Sequence, residues 1–187
     1  ASAALDTTEI WNGSIWATTT SLVSTLQEMA SCGSFSDALS IGGDSGASAL
    51  QKVTEKWNGS IWVTTSSLNE ARDTFAGCGT TSDALCFGGQ VLPTTEKWGQ
   101  ATVQYNPVGQ AWVTTSSSNI AHYFAAGCGT TSAALAFGGS VSVDTTEIWN
   151  GSIWATTSSL VTGVGYQGGC GTTAAALCIG GDNSGEL

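Results

Sequence analysis

The chain has 187 residues, of which 41% are apolar and only 10% charged, with 25 Gly, 8 Trp and 2 Pro. That apolar fraction excludes a disordered chain, no apolar run is long enough to cross a bilayer as a helix, and a formal charge of −10 opposes binding to nucleic acid or to anionic lipid. A chain of this length makes one domain or at most two small ones and buries roughly 70% of its unfolded surface.

A repeat organises the whole chain. Gly pairs fall at Gly42-Gly43, Gly88-Gly89, Gly138-Gly139 and Gly180-Gly181, with spacings of 46, 50 and 42. Cys-Gly steps at Cys32, Cys78, Cys128 and Cys170 keep the same spacings, as do Trp16, Trp62, Trp112 and Trp154. The run DTTEIWNGSIWATT at 6–19 recurs unchanged at 144–157, and AGCGTTS at 76–82 recurs at 126–132. Periods of this size decide architecture more firmly than local propensity does.

In chain order, residues 7–11 and 14–18 predict a hairpin about Asn12-Gly13, the dipeptide that suits a two-residue type I′ turn. That register sets Trp11 opposite Ser14, Ile10 opposite Ile15 and Glu9 opposite Trp16. One face then carries Glu9, Trp11 and Trp16, and the other Thr8, Ile10 and Ile15. Both are substantially apolar, as expected of a sheet covered on both sides. Further along, residues 75–79, a turn at 80–82, and residues 83–87 ending at the Gly pair predict a second hairpin. Four short strands in 40–50 residues match one β-propeller blade.

The expected fold is all-β: a four-bladed propeller over 1–187, with repeats starting near 24, 70, 120 and 162. Residues 1–23 complete the last blade, so N- and C-terminal strands share it and no free sheet edge remains. An eight-bladed ring from two chains, or a fragment of a longer propeller, is the alternative, because four is the lower limit of the usual range.

The Gly pair after the second strand, an aromatic in the third and a Trp in the fourth resemble kelch-type repeats. Trp11, Trp57, Trp98 and Trp149 depart from the Tyr usual in that family, and the tight NGS turn departs as well. The fuller pattern TEKWNGSIWVTTSSLNEAR…AGCGTTSDALCFGG over 54–89 is closer to kelch-like repeats in tail and structural proteins of bacteriophages, notably marine cyanophages. The resemblance implies a structural or adhesive component of a virion or extracellular assembly, with no catalytic residues, cofactor or metal. Its implied partners are other virion or surface proteins and glycans, and homo-oligomers are compatible with it.

Six cysteines read as small buried apolar residues. A three-residue turn would set Cys78 opposite Cys86 and Cys170 opposite Cys178 and allow cross-strand disulfides, whereas two or four residues would not. A four-Cys metal site lacks the close ligand pairs of structural zinc motifs. Glu9, Glu55, Glu96 and Glu147 each precede a Trp by two residues. A carboxylate beside an indole suits a sugar site, but presence in every repeat favours a structural acceptor of indole or backbone N–H groups. The eight Trp residues read as packing between blades in the same way. Asn12, Asn58 and Asn150 open Asn-Gly-Ser sequons that turn geometry already explains.

The repeat breaks at one place. Trp98 and Trp112 are fourteen apart where other copies separate the pair by five, so residues 99–110 lengthen one outer hairpin. Trp98, Gln104, Tyr105, Asn106 and Trp112 are the candidate ligand- or partner-binding residues there. His122 takes the place of Arg72 and reads as an ordinary polar exchange, and Asp37 and Asp83 have no evident partner in the sequence. Without a nucleophile–base set, the expected role is a non-enzymatic structural or adhesion module, with a multivalent carbohydrate-binding propeller as the alternative. An enzyme would need titratable groups gathered at one end of the axis.

Overall fold

The repeat units fold as antiparallel strands of three to six residues, and no helix occurs among the residues that the computed structural model describes, 3–90, 92–100, 109–140 and 143–183. The first four-stranded sheet runs β3 (Ala30–Ser34), β4 (Asp37–Ile41), β5 (Thr54–Trp57), β6 (Trp62–Thr64). A second follows with β7 (Ala76–Thr80), β8 (Asp83–Phe87), β9 (Thr95–Gln100), β10 (Gln110–Thr115). The third is β11 (Ala126–Thr130), β12 (Ala133–Phe137), β13 (Thr146–Trp149), β14 (Trp154–Thr156). At the chain ends stand two hairpins, β1 (Glu9–Trp11) with β2 (Trp16–Thr18), and β15 (Gly168–Thr172) with β16 (Ala175–Ile179). First strands β3, β7, β11 and β15 lie side by side.

Side chains alternate along each strand, so every internal sheet feeds two apolar layers. Between the first and second sheets lie Leu39, Ile41, Ala84, Cys86, Trp98 and Trp112. Between the second and third lie Cys78, Leu85, Phe87, Ala136, Trp149 and Trp154. Burial of each large apolar side chain contributes roughly 2–3 kcal/mol. Glycine lets neighbouring first strands approach: a Cβ on Gly127 would overlap the Phe87 ring, and one on Gly77 would come 3.2 Å from the Ala30 methyl. The Gly pairs bridge sheets through their amides, Gly43 N to Arg72 O at 2.8 Å and Gly89 N to His122 O at 2.9 Å.

The Asn-Gly hairpins differ from the two-residue expectation. Trp11 pairs with Trp16 and Glu9 with Thr18, leaving a four-residue loop. Asn12 Oδ1 accepts from Ser14 N at 3.0 Å and Ile15 N at 3.1 Å, and Gly13 alone of that loop is left-handed, at φ 97°. An Asn that folds its side chain onto the loop amides stabilises this wider turn. The slip is two residues, so Trp11, Glu9 and Trp16 still share one face. In the other hairpin the turn holds two residues, Thr81 and Ser82, and Cys78 faces Leu85 while Gly77 faces Cys86. The six cysteines are free thiols.

The two halves of the expected closing blade are separate two-stranded sheets. Hairpin β1–β2 is tied to the first sheet, where Trp62 Nε1 donates to Thr8 Oγ1 at 3.0 Å and Thr20 Oγ1 to Ser60 O at 2.7 Å. Hairpin β15–β16 leans on β11 and β12 of the third sheet.

Candidate functional site

The repeated glutamates have one role in the three complete sheets. Glu55, Glu96 and Glu147 are fully buried on the third strands. Glu55 accepts from Val23 N and Ser24 N at 2.7 and 2.8 Å, and Glu96 from Asn69 N and Glu70 N at 2.7 and 3.1 Å. Glu147 accepts from Asn119 N at 2.9 Å and Ile120 N at 3.4 Å. Each carboxylate thus holds the segment that enters its own sheet, which offsets its desolvation. Glu9, on the isolated β1, is exposed.

Two of these clamps carry a buried base whose role is not legible in the sequence. Arg72 Nη2 lies 3.0 Å from Glu96 Oε1, and Nη1 donates to Gly88 O and Thr94 O, each at 2.9 Å. In the next repeat His122 takes that place, with Nε2 2.8 Å from Glu147 Oε2 and Nδ1 3.2 Å from Gly138 O. Asp37 and Asp83 are partnered as well, by Thr81 and Thr131 of the following sheet and by Lys56 and Lys97 at 3.5 and 3.6 Å.

Six of the eight tryptophans are structural in position, whereas Trp11 and Trp16 are exposed. Trp57, Trp98 and Trp149 donate their indole N–H to Phe35 O, Thr81 O and Thr131 O at 3.1, 2.9 and 2.8 Å. Trp62, Trp112 and Trp154 donate to Thr8, Thr54 and Thr95 hydroxyls of the preceding sheet at 3.0, 2.9 and 2.9 Å. Trp98 and Trp112 therefore sit in a core layer with their ring centroids 5.4 Å apart, and neither presents a free face. Gln104, Tyr105 and Asn106 lie outside the described residues. Beside this hairpin is an open depression of about 500 Å³, lined by Ser82, Asp83, Lys97, Gly99, Ala111 and Val113.

A different cluster gathers where the chain enters the first strands. Glu28, Thr74, Phe124 and Tyr166 occupy one repeat position, and all four are left-handed, at φ 57°, 51°, 55° and 59°. For non-glycine residues this costs about 1–3 kcal/mol each and persists only when the surroundings fix it. A backbone belt fixes it: Thr74 N donates to Glu28 O at 3.0 Å, Phe124 N to Thr74 O at 2.9 Å and Tyr166 N to Phe124 O at 3.1 Å. Side chains therefore converge on one mouth. The rings of Phe124 and Tyr166 lie 3.8 Å apart at 31°, and Tyr123 lies 4.0 Å from Phe124.

An open cavity of about 350 Å³ at this mouth is lined by Glu28, Thr74, Phe75, Phe124, Tyr166 and Gln167. Partial burial, then the charges of Asp73 and Asp44, raise the Glu28 carboxyl above its ordinary value. Burial first, then Tyr123, Glu28 and Asp182, raise the Tyr166 phenol. Aromatic faces next to a carboxylate can stack on an apolar ring face and accept hydroxyl protons at its edge. Sequence reasoning passed over this site because its four members share a backbone conformation and no residue type. Among the described residues, no group of three or more His, Cys, Asp or Glu is placed to hold a metal ion.

No family model matches the chain, and no curated protein does. Among solved structures it is similar to one titled "Structure of YjhT", with a TM-score of 0.72 at 9% identity over 91% of this chain. The match covers 66% of that chain, so this protein spans just under two thirds of its length. At that identity the likeness concerns the fold alone.

Proposed function

We propose that this protein is a non-catalytic, kelch-like propeller module of a virion or another extracellular assembly, which adheres to glycan surfaces through the aromatic mouth. The observation that carries the reading is the stacked Phe124–Tyr166 pair beside Glu28, held out by four left-handed residues. Strain kept in every repeat, at a place where side chains gather around one mouth, is the kind that function retains. The four-bladed reading is supported by the three four-stranded sheets with two complementary halves, and the phage-type assembly by the repeat resemblance. Buried carboxylates in the repeats are committed to backbone amides, which leaves them unsuited to acid–base work.

The test is a broad glycan array probed with the multivalently displayed protein, followed by titration of any hit against Tyr166→Ala and Phe124→Ala. Binding that weakens at least about tenfold in both variants supports the reading, because aromatic stacking contributes on this scale. Binding unchanged in both, or no hit on the array, overturns it.

A further inference from the structure

The mouth is built unevenly. Its aromatic part is Tyr123, Phe124 and Tyr166, stacked ring on ring. Its acidic part is larger than Glu28 alone. The charges of Asp73 and Asp44 act on the Glu28 carboxyl, and those of Glu28 and Asp182 on the Tyr166 phenol, so four acids bear on one opening. Repetition does not impose them. Asp44 and Asp182 follow the first and last Gly pairs, whereas Gln90 and Ser140 follow the other two. Asp73 precedes the left-handed Thr74, and its equivalents are Gln27, Tyr123 and Gly165. Glu55, Glu96 and Glu147, by contrast, recur at one position and clamp backbone.

No base answers these acids. The sequence holds four Lys and Arg residues and one His. Lys56 and Lys97 pair with Asp37 and Asp83, Arg72 and His122 with Glu96 and Glu147, and Lys52 donates to Asn69 O at 2.6 Å. Arg72 reaches the lining, 5.9 Å from the centre of the Phe75 ring, with its charge already matched by Glu96. Asp44 Oδ1 accepts from the Gly46 and Ala49 amides and Asp73 Oδ1 from the Thr74 hydroxyl, neutral donors that leave the negative charge in place.

The cavity wall also holds an unanswered acceptor. Gln167 is 8% exposed, and its Nε2 donates to Phe137 O at 2.7 Å, which fixes the amide. Its Oε1 has no hydrogen-bond partner among the described residues. A buried acceptor in that state gains from a donor brought to it.

We propose that the sugar taken by this mouth carries a protonated amine, with its ring face on Phe124 and Tyr166 and its ammonium among Glu28, Asp73 and Gln167 Oε1. This rests on the glycan-binding reading above and names its ligand class. An ammonium group brings three donors and no acceptor, which suits carboxylates and a bare amide oxygen. It is also drawn to aromatic faces. An acidic sugar meets like charge here, and a neutral one leaves the four acids without a counter-charge.

The test titrates the full chain with three oligomers of equal length and linkage, made of glucose, N-acetylglucosamine and glucosamine, at mildly acidic pH where the glucosamine amine is protonated. The glucosamine oligomer is expected to bind at least about tenfold tighter than the other two, with added salt shrinking that margin. Glu28→Gln is expected to reduce the margin at least about fivefold. Glu28 is exposed and makes its belt bond through its backbone oxygen, so this change leaves the fold in place. Tyr166→Ala is expected to weaken all three. Equal binding of the three oligomers, lost in Tyr166→Ala, overturns the amino-sugar ligand and leaves the glycan reading standing. A margin unchanged in Glu28→Gln overturns it too, since the attraction then lies elsewhere on the chain. A best ligand on the glycan array that is neutral or acidic overturns this inference alone, whereas an array without hits removes both.

Discussion

Arg72 and Glu96 lie 3.0 Å apart with both side chains closed off from solvent, and the guanidinium is shared between that carboxylate and the oxygens of Gly88 and Thr94. Loss of one partner from such a pair costs about 3–5 kcal/mol, because the other charge stays buried. Arg72→Ala is therefore expected to lower the urea midpoint strongly. Arg72→His is expected to be milder, because His122 makes the equivalent bonds to Glu147 and Gly138 one repeat later. Equal losses in the two variants would count against the clamp.

Gly127 is expected to be the less tolerant of two equivalent glycines. Its Cβ position is filled by the Phe87 ring, whereas that of Gly77 meets only the Ala30 methyl at 3.2 Å. Gly127→Ala is predicted to cost about 1–3 kcal/mol through overpacking, and Gly77→Ala less. Combining Gly127→Ala with Phe87→Leu should recover part of the loss in denaturant titrations.

Asn58 tests the revised hairpin. Its Oδ1 accepts from Ser60 N and Ile61 N, both at 3.0 Å, so Asn58→Ala is expected to cost about 1 kcal/mol and Asn58→Asp much less. A two-residue type I′ turn would instead accept Gly at this position, because its first central residue has positive φ, whereas the observed loop loses both Oδ1 contacts in Asn58→Gly. Thermal denaturation of the Gly and Asp variants separates the cases.

The thiols predict an alkaline limit. Burial pushes Cys32, Cys78 and Cys86 up to about 12 from an ordinary value of 9.0. Above pH 9.0 the unfolded chain releases thiol protons that the folded chain keeps, so stability is full below that pH and declines as pH rises towards 12. Each such thiol steepens the decline by at most about 1.4 kcal/mol per pH unit. Iodoacetamide at neutral pH should label Cys170 and Cys178 first and leave Cys86 intact until the chain unfolds. Rapid labelling of Cys86 in the folded protein would contradict this.

The strands and their faces were legible because alternation and a period of 42–50 residues survive any local uncertainty. The Asn-Gly loop was misjudged by two residues because Asn12 uses its side chain, which a turn rule based on backbone angles omits. His122 in place of Arg72 reads as an ordinary polar exchange, since their partners Glu147 and Glu96 are 25 and 24 residues away. The aromatic mouth was hidden for another reason: Glu28, Thr74, Phe124 and Tyr166 share a backbone conformation and nothing in composition. Trp98 and Trp112 drew attention through a change of spacing, yet the longer hairpin leaves their burial as in the other repeats.

Each glutamate clamp ties a third strand to the segment that precedes the first strand of the same sheet. One period, counted from the clamped segment, therefore holds one whole sheet together with its own clamp, and a recombination event that gains or loses one period adds or removes a sheet with its clamp intact. Such a scaffold can change its length by copying itself, with every new seam already solved by the old ones.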